Sequence, residues 1–323
     1  MTKIFFLALP LLLVFITCKQ ENKKVEEAVK NTPEIATPVF NQDSAYAYLE
    51  KQLSFGYRVP GTKEHKACGQ WIISKVTENG ATVTVQDFTS NFFDKKAVPS
   101  FNIIASYSPE LKDRIIIAAH WDTRLIGEKD LKLKNKPIMG ADDGASGVAN
   151  LLELSRLLKD LKLPIGVDLM FFDAEDNGTD NGGWCQGSEY WSKNKHKADY
   201  SARFGILMDM VGAKNARFGY EGYSKQYAGD VLEKIWNLAQ GMGYTDLFVE
   251  ENTGPIMDDH YYLISNAGIP MVDILNRPMK TESGFADHHH TQSDNIAVID
   301  KRTLGAVGKV VTEVIIKYAN KTF

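Results

Sequence analysis

Polar and apolar positions fall into three regimes along the chain. Residues 4–16 are apolar throughout, broken only by Pro10, and follow Lys3. A run of that length is too short to span a bilayer and suits the core of a secretory signal. Residues 19–38 are polar and mixed in charge, with few large apolar side chains. They read as a tether whose root-mean-square reach is about 25 Å for a loose chain. From Phe40 onward, segments of helical period alternate with short apolar runs. Helices are predicted over 44–53, 64–79, 145–159, 226–240, 258–266 and 301–318, with Gly80 closing the second. In the third, Val148, Leu151, Leu152, Ser155 and Leu158 share one face. Strands are predicted over 81–88, 101–107, 114–119, 167–172, 204–208 and 270–274. No internal repeat or second linker interrupts this order. The expected organisation is a signal peptide at 1–17, a tether at 18–39 and a single domain at 40–323. Its expected fold is α/β, a mixed and mainly parallel central sheet with helices on both faces.

Composition narrows the picture. Hydrophobic residues make up 44% and charged residues 24% of the chain, which excludes wholesale disorder. A net charge of −4 gives no reason to expect a nucleic-acid partner. Three cysteines, Cys18, Cys68 and Cys185, are too few and too scattered for a disulfide scaffold or a CxxC metal site. Cys68 and Cys185 are expected to be separate buried thiols.

Chemistry concentrates at the predicted strand ends. His120-Trp121-Asp122 follows one strand, Asp173-Ala174-Glu175-Asp176 the next, and Asp209 a third. Gly140-Ala141-Asp142-Asp143-Gly144 precedes a helix, Asp258-Asp259-His260 opens another, and His288-His289-His290 lies in a loop. In open α/β sheets, functional groups gather beyond the carboxyl ends of the strands. Crowded carboxylates repel unless a proton or a cation intervenes, and mixed Asp/Glu/His donors suit a catalytic zinc. Taken singly, each piece has a structural explanation: Asp142 or Asp143 as a helix cap, His120 as a satisfied core histidine, the triple His as a surface loop. Their joint occurrence at successive strand ends points to a site.

The series HxD, GADDGASG, FFDAED, LMDMVG, DDH and HTxxD resembles the zinc exopeptidase superfamily, which contains co-catalytic zinc aminopeptidases and type II glutaminyl cyclases. The resemblance covers roughly residues 40–320. Within it, Asp258-Asp259-His260, the segment 184–191 and the segment 207–212 are similar to the bacterial, animal-like cyclases. It implies zinc, one ion per chain, held by Asp142, Asp176 and His290. Glu175 would be the general acid/base, with Asp209 and Asp258 as its hydrogen-bonded partners. Trp184, Phe285 and His289 would contact substrate, while Trp191 is expected in the core. His120, Asp122, Asp143 and His260 would support these groups from behind. A cis peptide is implied between Asp142 and Asp143. The chain departs from the cyclase pattern at Asp176, where Glu is usual, and at His289, where Trp is usual.

The implied reaction converts an N-terminal Gln of peptides or proteins to pyroglutamate. The rival is a two-zinc aminopeptidase, with His120, Asp142 and Asp209 on the second ion. A non-catalytic surface binding protein would require a lost ligand or a lost Glu175, and neither is lost. Cys18, after the apolar run, resembles a bacterial lipoprotein signal and implies export with a lipid anchor in an envelope membrane. The lysine-rich insert 125–136 is expected to be a mobile solvated loop near the mouth of the site.

Overall fold

Two strands with no polar exposure form the centre of the sheet. Arg114–His120 (β3) and Gly166–Phe172 (β4) are buried at every position, as expected of parallel strands covered on both faces. The computed structural model describes residues 34–281 and 283–323; the expected signal and most of the tether lie outside the described residues. Ahead of the central strands come Gln42–Leu53 (α1), Lys63–Glu78 (α2), Thr82–Phe92 (β1) and Lys95–Tyr107 (β2). Asn41 and Thr62 cap the two helices through their side chains. After β3 follow Ala145–Leu158 (α3), β4, Gln186–Lys193 (α4) and Gly205–Asp209 (β5). Then come Phe218–Glu221 (β6), Gly222–Gly241 (α5), Phe248–Gly254 (β7), Asp259–Ser265 (α6), Met271–Leu275 (β8) and Lys301–Ala319 (α7).

The main sheet runs β1-β2-β4-β3-β5-β8. β1 and β2 form an antiparallel pair, and β2 meets β4 antiparallel. β4, β3, β5 and β8 are mutually parallel. The expected mixed, mainly parallel sheet is therefore present. Parallelism is what gathers the chemistry: with His120 opposite Phe172 and Asp209 opposite Leu275, the carboxyl ends of these strands share one edge.

One face of the sheet packs Ile104, Ile116, Met170, Phe172, Leu207 and Met271 against Trp191 of α4 and Leu263 of α6. Trp191 is thus core, as expected. On the other face, α3 approaches so closely that a Cβ on Gly147 would collide with the Met208 carbonyl oxygen and the Ala119 methyl. A smaller parallel pair, β6 and β7, was not predicted, nor was α4. The polar interruption of β4, Asp168, is answered at the opposite end of the sheet. It receives a fork of two hydrogen bonds from Arg114 at 2.6 and 2.7 Å, with Ser106 and Tyr200 completing the set. Cys68 and Cys185 are free and buried. Among the described residues no helix is long and apolar enough to cross a membrane.

Candidate metal centre and active site

His120 ends β3 fully inside the protein, with its Nε2 3.1 Å from Asp143 Oδ1 and 3.2 Å from Asp209 Oδ1. Its Nδ1 lies 3.5 Å from Asp122. Burial alone would depress the imidazole, but these three carboxylates outweigh it and hold the ring well above its ordinary value. Asp122 has a second task. Its carboxylate accepts the backbone N–H of Glu175 at 3.0 Å and of Asp176 at 3.3 Å, and the Asn177 side chain at 3.0 Å. The turn after β4 is thereby pinned with Glu175 and Asp176 in place.

The acidic pair before α3 corrects the sequence expectation. Asp142 faces away from the centre: its carboxylate accepts from Gly212 N at 2.7 Å and pairs with His288 Nε2 at 2.8 Å. Asp143 faces in, its Oδ2 3.8 Å from His290 Nε2 and 4.0 Å from His289 Nε2. The cis peptide is Asp143–Gly144, not Asp142–Asp143. Neither Asp caps α3, whose N-cap Gly144 receives no side-chain bond. Gly144 is required because a Cβ there would strike the His120 ring. Both backbone N–H groups of the pair donate to Asp294, at 2.8 and 3.2 Å, which fixes which side chain turns inward.

His290 Nε2 stands 3.0 Å from Asp176 Oδ1, and the second oxygen of Asp176 is buried with no hydrogen-bond partner. An orphaned carboxylate oxygen inside a set of O and N donors is the signature of a site shaped for a cation. Asp143, His289 and His290 present donor atoms within 4.8 Å of one another, and so do His120, Asp143 and Asp209. Asp143 and Asp176 both lie around His290 Nε2, at 3.8 and 3.0 Å, and these three fit zinc, with His289 alongside; His120 and Asp209 complete a second set that shares Asp143.

Glu175 is half-buried beside this set, and its carboxylate, Cys185 Sγ and Asp258 also converge within 4.8 Å. Burial raises Glu175 well above the ordinary carboxyl range, reinforced by Asp258, Asp176 and Asp259 and opposed by His120. Burial, with Asp258 and Asp143 nearby, likewise pushes Asp209 up to about 8 against the pull of His120. Asp258 caps α6 by accepting the Asp259 N–H. His260 lies beneath, its Nε2 2.9 Å from Glu221 and its Nδ1 3.7 Å from Asp273.

A cleft of about 540 Å³ opens onto these groups. Phe285, His289, His290 and Trp184 form one continuous stack along its wall, with ring separations of 4.1, 3.7 and 5.8 Å. The three expected substrate contacts thus line the cleft together. Sequence reasoning missed Glu128, Lys129, Ile256 and Met257, which also line it. Glu128 and Lys129 belong to the insert 125–136, read as a solvated loop. That holds for Leu131, which is 92% exposed, but not for Glu128, whose Oε1 is 2.6 Å from His290 Nδ1.

A mixed sheet carrying carboxylates and imidazoles around a cation site at its carboxyl edge defines an α/β metalloenzyme of the exopeptidase type. The chain belongs to peptidase family M28, whose model matches residues 102–315. It is similar to the glutaminyl cyclase of Porphyromonas gingivalis, at 45% identity and a TM-score of 0.84 over 85% of this chain and 97% of that one. A leucine aminopeptidase precursor from Bacteroides thetaiotaomicron superposes with a TM-score of 0.83 at 44% identity, over 87% and 99% of the two chains. The glutaminyl-peptide cyclotransferase of the snake Gloydius blomhoffii is 24% identical over 300 residues, 81% of this chain and 78% of its own.

Proposed function

We infer that this protein is a zinc-dependent glutaminyl-peptide cyclotransferase. It converts the N-terminal Gln of peptides or proteins to pyroglutamate and releases ammonia. The observation that carries the reading is the position of Glu175, against Asp258 and in the same cleft as Asp143 and Asp176, whose carboxylates lie around His290 Nε2, in a chain so similar to a bacterial glutaminyl cyclase. One zinc per chain is proposed, on Asp143, Asp176 and His290, with His120 and Asp209 hydrogen-bonded to each other. When bound, zinc supplies Lewis-acid polarisation of the side-chain amide carbonyl.

The α-amine of the substrate is tethered to the carbonyl it attacks, so orientation in the cleft supplies much of the rate. Glu175, raised by burial, is suited to take the amine proton and return it to the departing ammonia. The carboxylates of Asp258, Asp176 and Asp259 add to that proton affinity. The stack of Phe285, His289, His290 and Trp184 offers a flat wall for the glutamine methylenes.

The set His120, Asp143 and Asp209 favours a second reading, an aminopeptidase with two metal ions. The purified protein, loaded with zinc and given one peptide starting with Gln and one starting with Leu, separates the two by mass spectrometry. Loss of ammonia from the Gln peptide alone supports the cyclase. Release of free Leu overturns it. The apolar run 4–16 and the Cys18 that follows support export and a lipid anchor in a bacterial envelope membrane. An acylated Cys18 at the mature N-terminus would establish this, and an unmodified N-terminus elsewhere would refute it.

A further inference from the structure

The insert 125–136 has no place in the chemistry above, yet its first turn is wired into the metal centre. Glu128 Oε1 lies 2.6 Å from His290 Nδ1, and Glu128 Oε2 accepts from Arg124 Nε at 2.6 Å. Arg124, only 3% exposed, donates through its other nitrogens to the carbonyl oxygens of Asp176 and Gly178. Its guanidinium also sits 4.7 Å from the centre of the Trp184 ring, which stacks on His290. The circuit is closed: Arg124 to Glu128, Glu128 to His290, His290 to Trp184, and Trp184 back to Arg124. Lys129 N donates to the His290 carbonyl at 3.3 Å, and Gln292 N to the Asp130 carboxylate at 3.0 Å, so the two loops are tied there as well.

We propose that Glu128 is a positioning residue for the metal, and that with Arg124 it forms a clamp holding His290 and the Asp176 turn in register. This rests on the reading that Asp143, Asp176 and His290 hold zinc. A carboxylate on Nδ1 keeps a proton on that nitrogen, so that Nε2, 3.0 Å from Asp176 Oδ1, is the nitrogen whose lone pair is free for a cation. Carboxylates that orient a ligating His in this way govern metal affinity by about 10–100-fold. The clamp matters more here because Asp176 is one methylene shorter than Glu. A short ligand cannot follow a displaced imidazole, so the backbone carrying it must be fixed, and Arg124 holds that backbone by its carbonyl.

The test is zinc affinity, by competition with a chromophoric chelator, for wild type, Glu128→Gln, Glu128→Ala and His290→Ala. Glu128→Ala is expected to weaken zinc binding by about 10–100-fold. Glu128→Gln, which still accepts from Nδ1 but without charge, is expected to fall between it and wild type, and it carries the test if the Ala variant fails to fold. The metal-free variants should melt with metal-free wild type, which separates positioning from damage to the fold. Zinc affinity within twofold of wild type in both Glu128 variants would overturn the clamp. If His290→Ala also binds zinc as wild type does, the ligand assignment beneath it fails, an outcome distinct from the first.

Discussion

Cys185 donates twice to Glu175: its backbone N–H to the Glu175 carbonyl at 3.0 Å and its thiol to Oε1 at 3.2 Å. The residue that opens α4, in a left-handed conformation with φ of 54°, is thus a brace for the acid/base glutamate. Burial, and then the charges of Glu175 and Asp259, push the Cys185 thiol well above its ordinary value, so it remains a donor. Cys68 is pushed by burial to about 12. In native protein lacking Cys18, neither thiol is expected to react with DTNB, whereas both should react in denaturant. A native thiol that titrates within minutes would contradict this packing.

Glu175→Gln keeps the size and the hydrogen-bonding oxygen but cannot carry the proton. Zinc content should stay at the wild-type level while kcat for ammonia release falls by about 10²–10⁴-fold, the usual range for a lost general acid/base. Near-normal turnover would remove Glu175 from that role.

The two aspartates before α3 should separate cleanly. Asp143→Asn is expected to abolish tight zinc binding. Asp142→Asn should retain it but lose about 1–3 kcal/mol of stability, because the buried tie to Gly212 N and His288 is weakened. Chelator competition and urea unfolding measure the two effects. The opposite pattern would restore Asp142 to the metal.

What could be read in the sequence, and what could not, divides along the range of the interaction. β3 and β4 were legible because each is an apolar run bounded by polar turns, and their parallel pairing brings the acidic strand ends together. The choice between Asp142 and Asp143 was not legible, since adjacent residues point opposite ways. The outcome depends on Asp294 holding both their N–H groups and on the peptide geometry at Gly144. Glu128 was hidden for a similar reason: its partner His290 is distant in sequence, and the lysines around it read as solvated chain. β7 carries Glu250, Glu251 and Asn252, a polar strand no periodicity would select, and it is ordered by pairing with β6.

Phe285 lies 4.1 Å from His289 with the rings nearly parallel, and both Lys129 and Arg277 stand about 5 Å from it, at 5.0 and 5.1 Å. Its ring therefore keeps His289 in the wall as well as facing the cleft. Removing an aromatic pair of this kind costs about 0.5–1.5 kcal/mol. Phe285→Ala should accordingly raise KM for Gln-initiated peptides by about 2–10-fold with a smaller change in kcat. A fall in kcat at unchanged KM would place Phe285 in the support of the metal centre instead.

Glu221 offers a test of the frame beneath the site. Its buried carboxylate accepts from Tyr223 N, Ser224 N, Ser224 Oγ and Ile256 N and contacts His260 Nε2 at 2.9 Å. Burial would raise it, but His260 and these donors outweigh burial and hold it at about 2, against an ordinary 4.5. A carboxyl depressed on folding contributes stability that is fully present above its unfolded value and is lost as pH falls through the folded one. The shift corresponds to roughly 3 kcal/mol at about 1.4 kcal/mol per unit. The stability difference between wild type and Glu221→Gln, from urea unfolding, should be present at about pH 5, shrink below about 4.5 and nearly vanish at about 2. A difference that does not change across that acid window would mean that Glu221 is not held ionised by the fold, and that His260 reaches its place under Asp258 by packing alone.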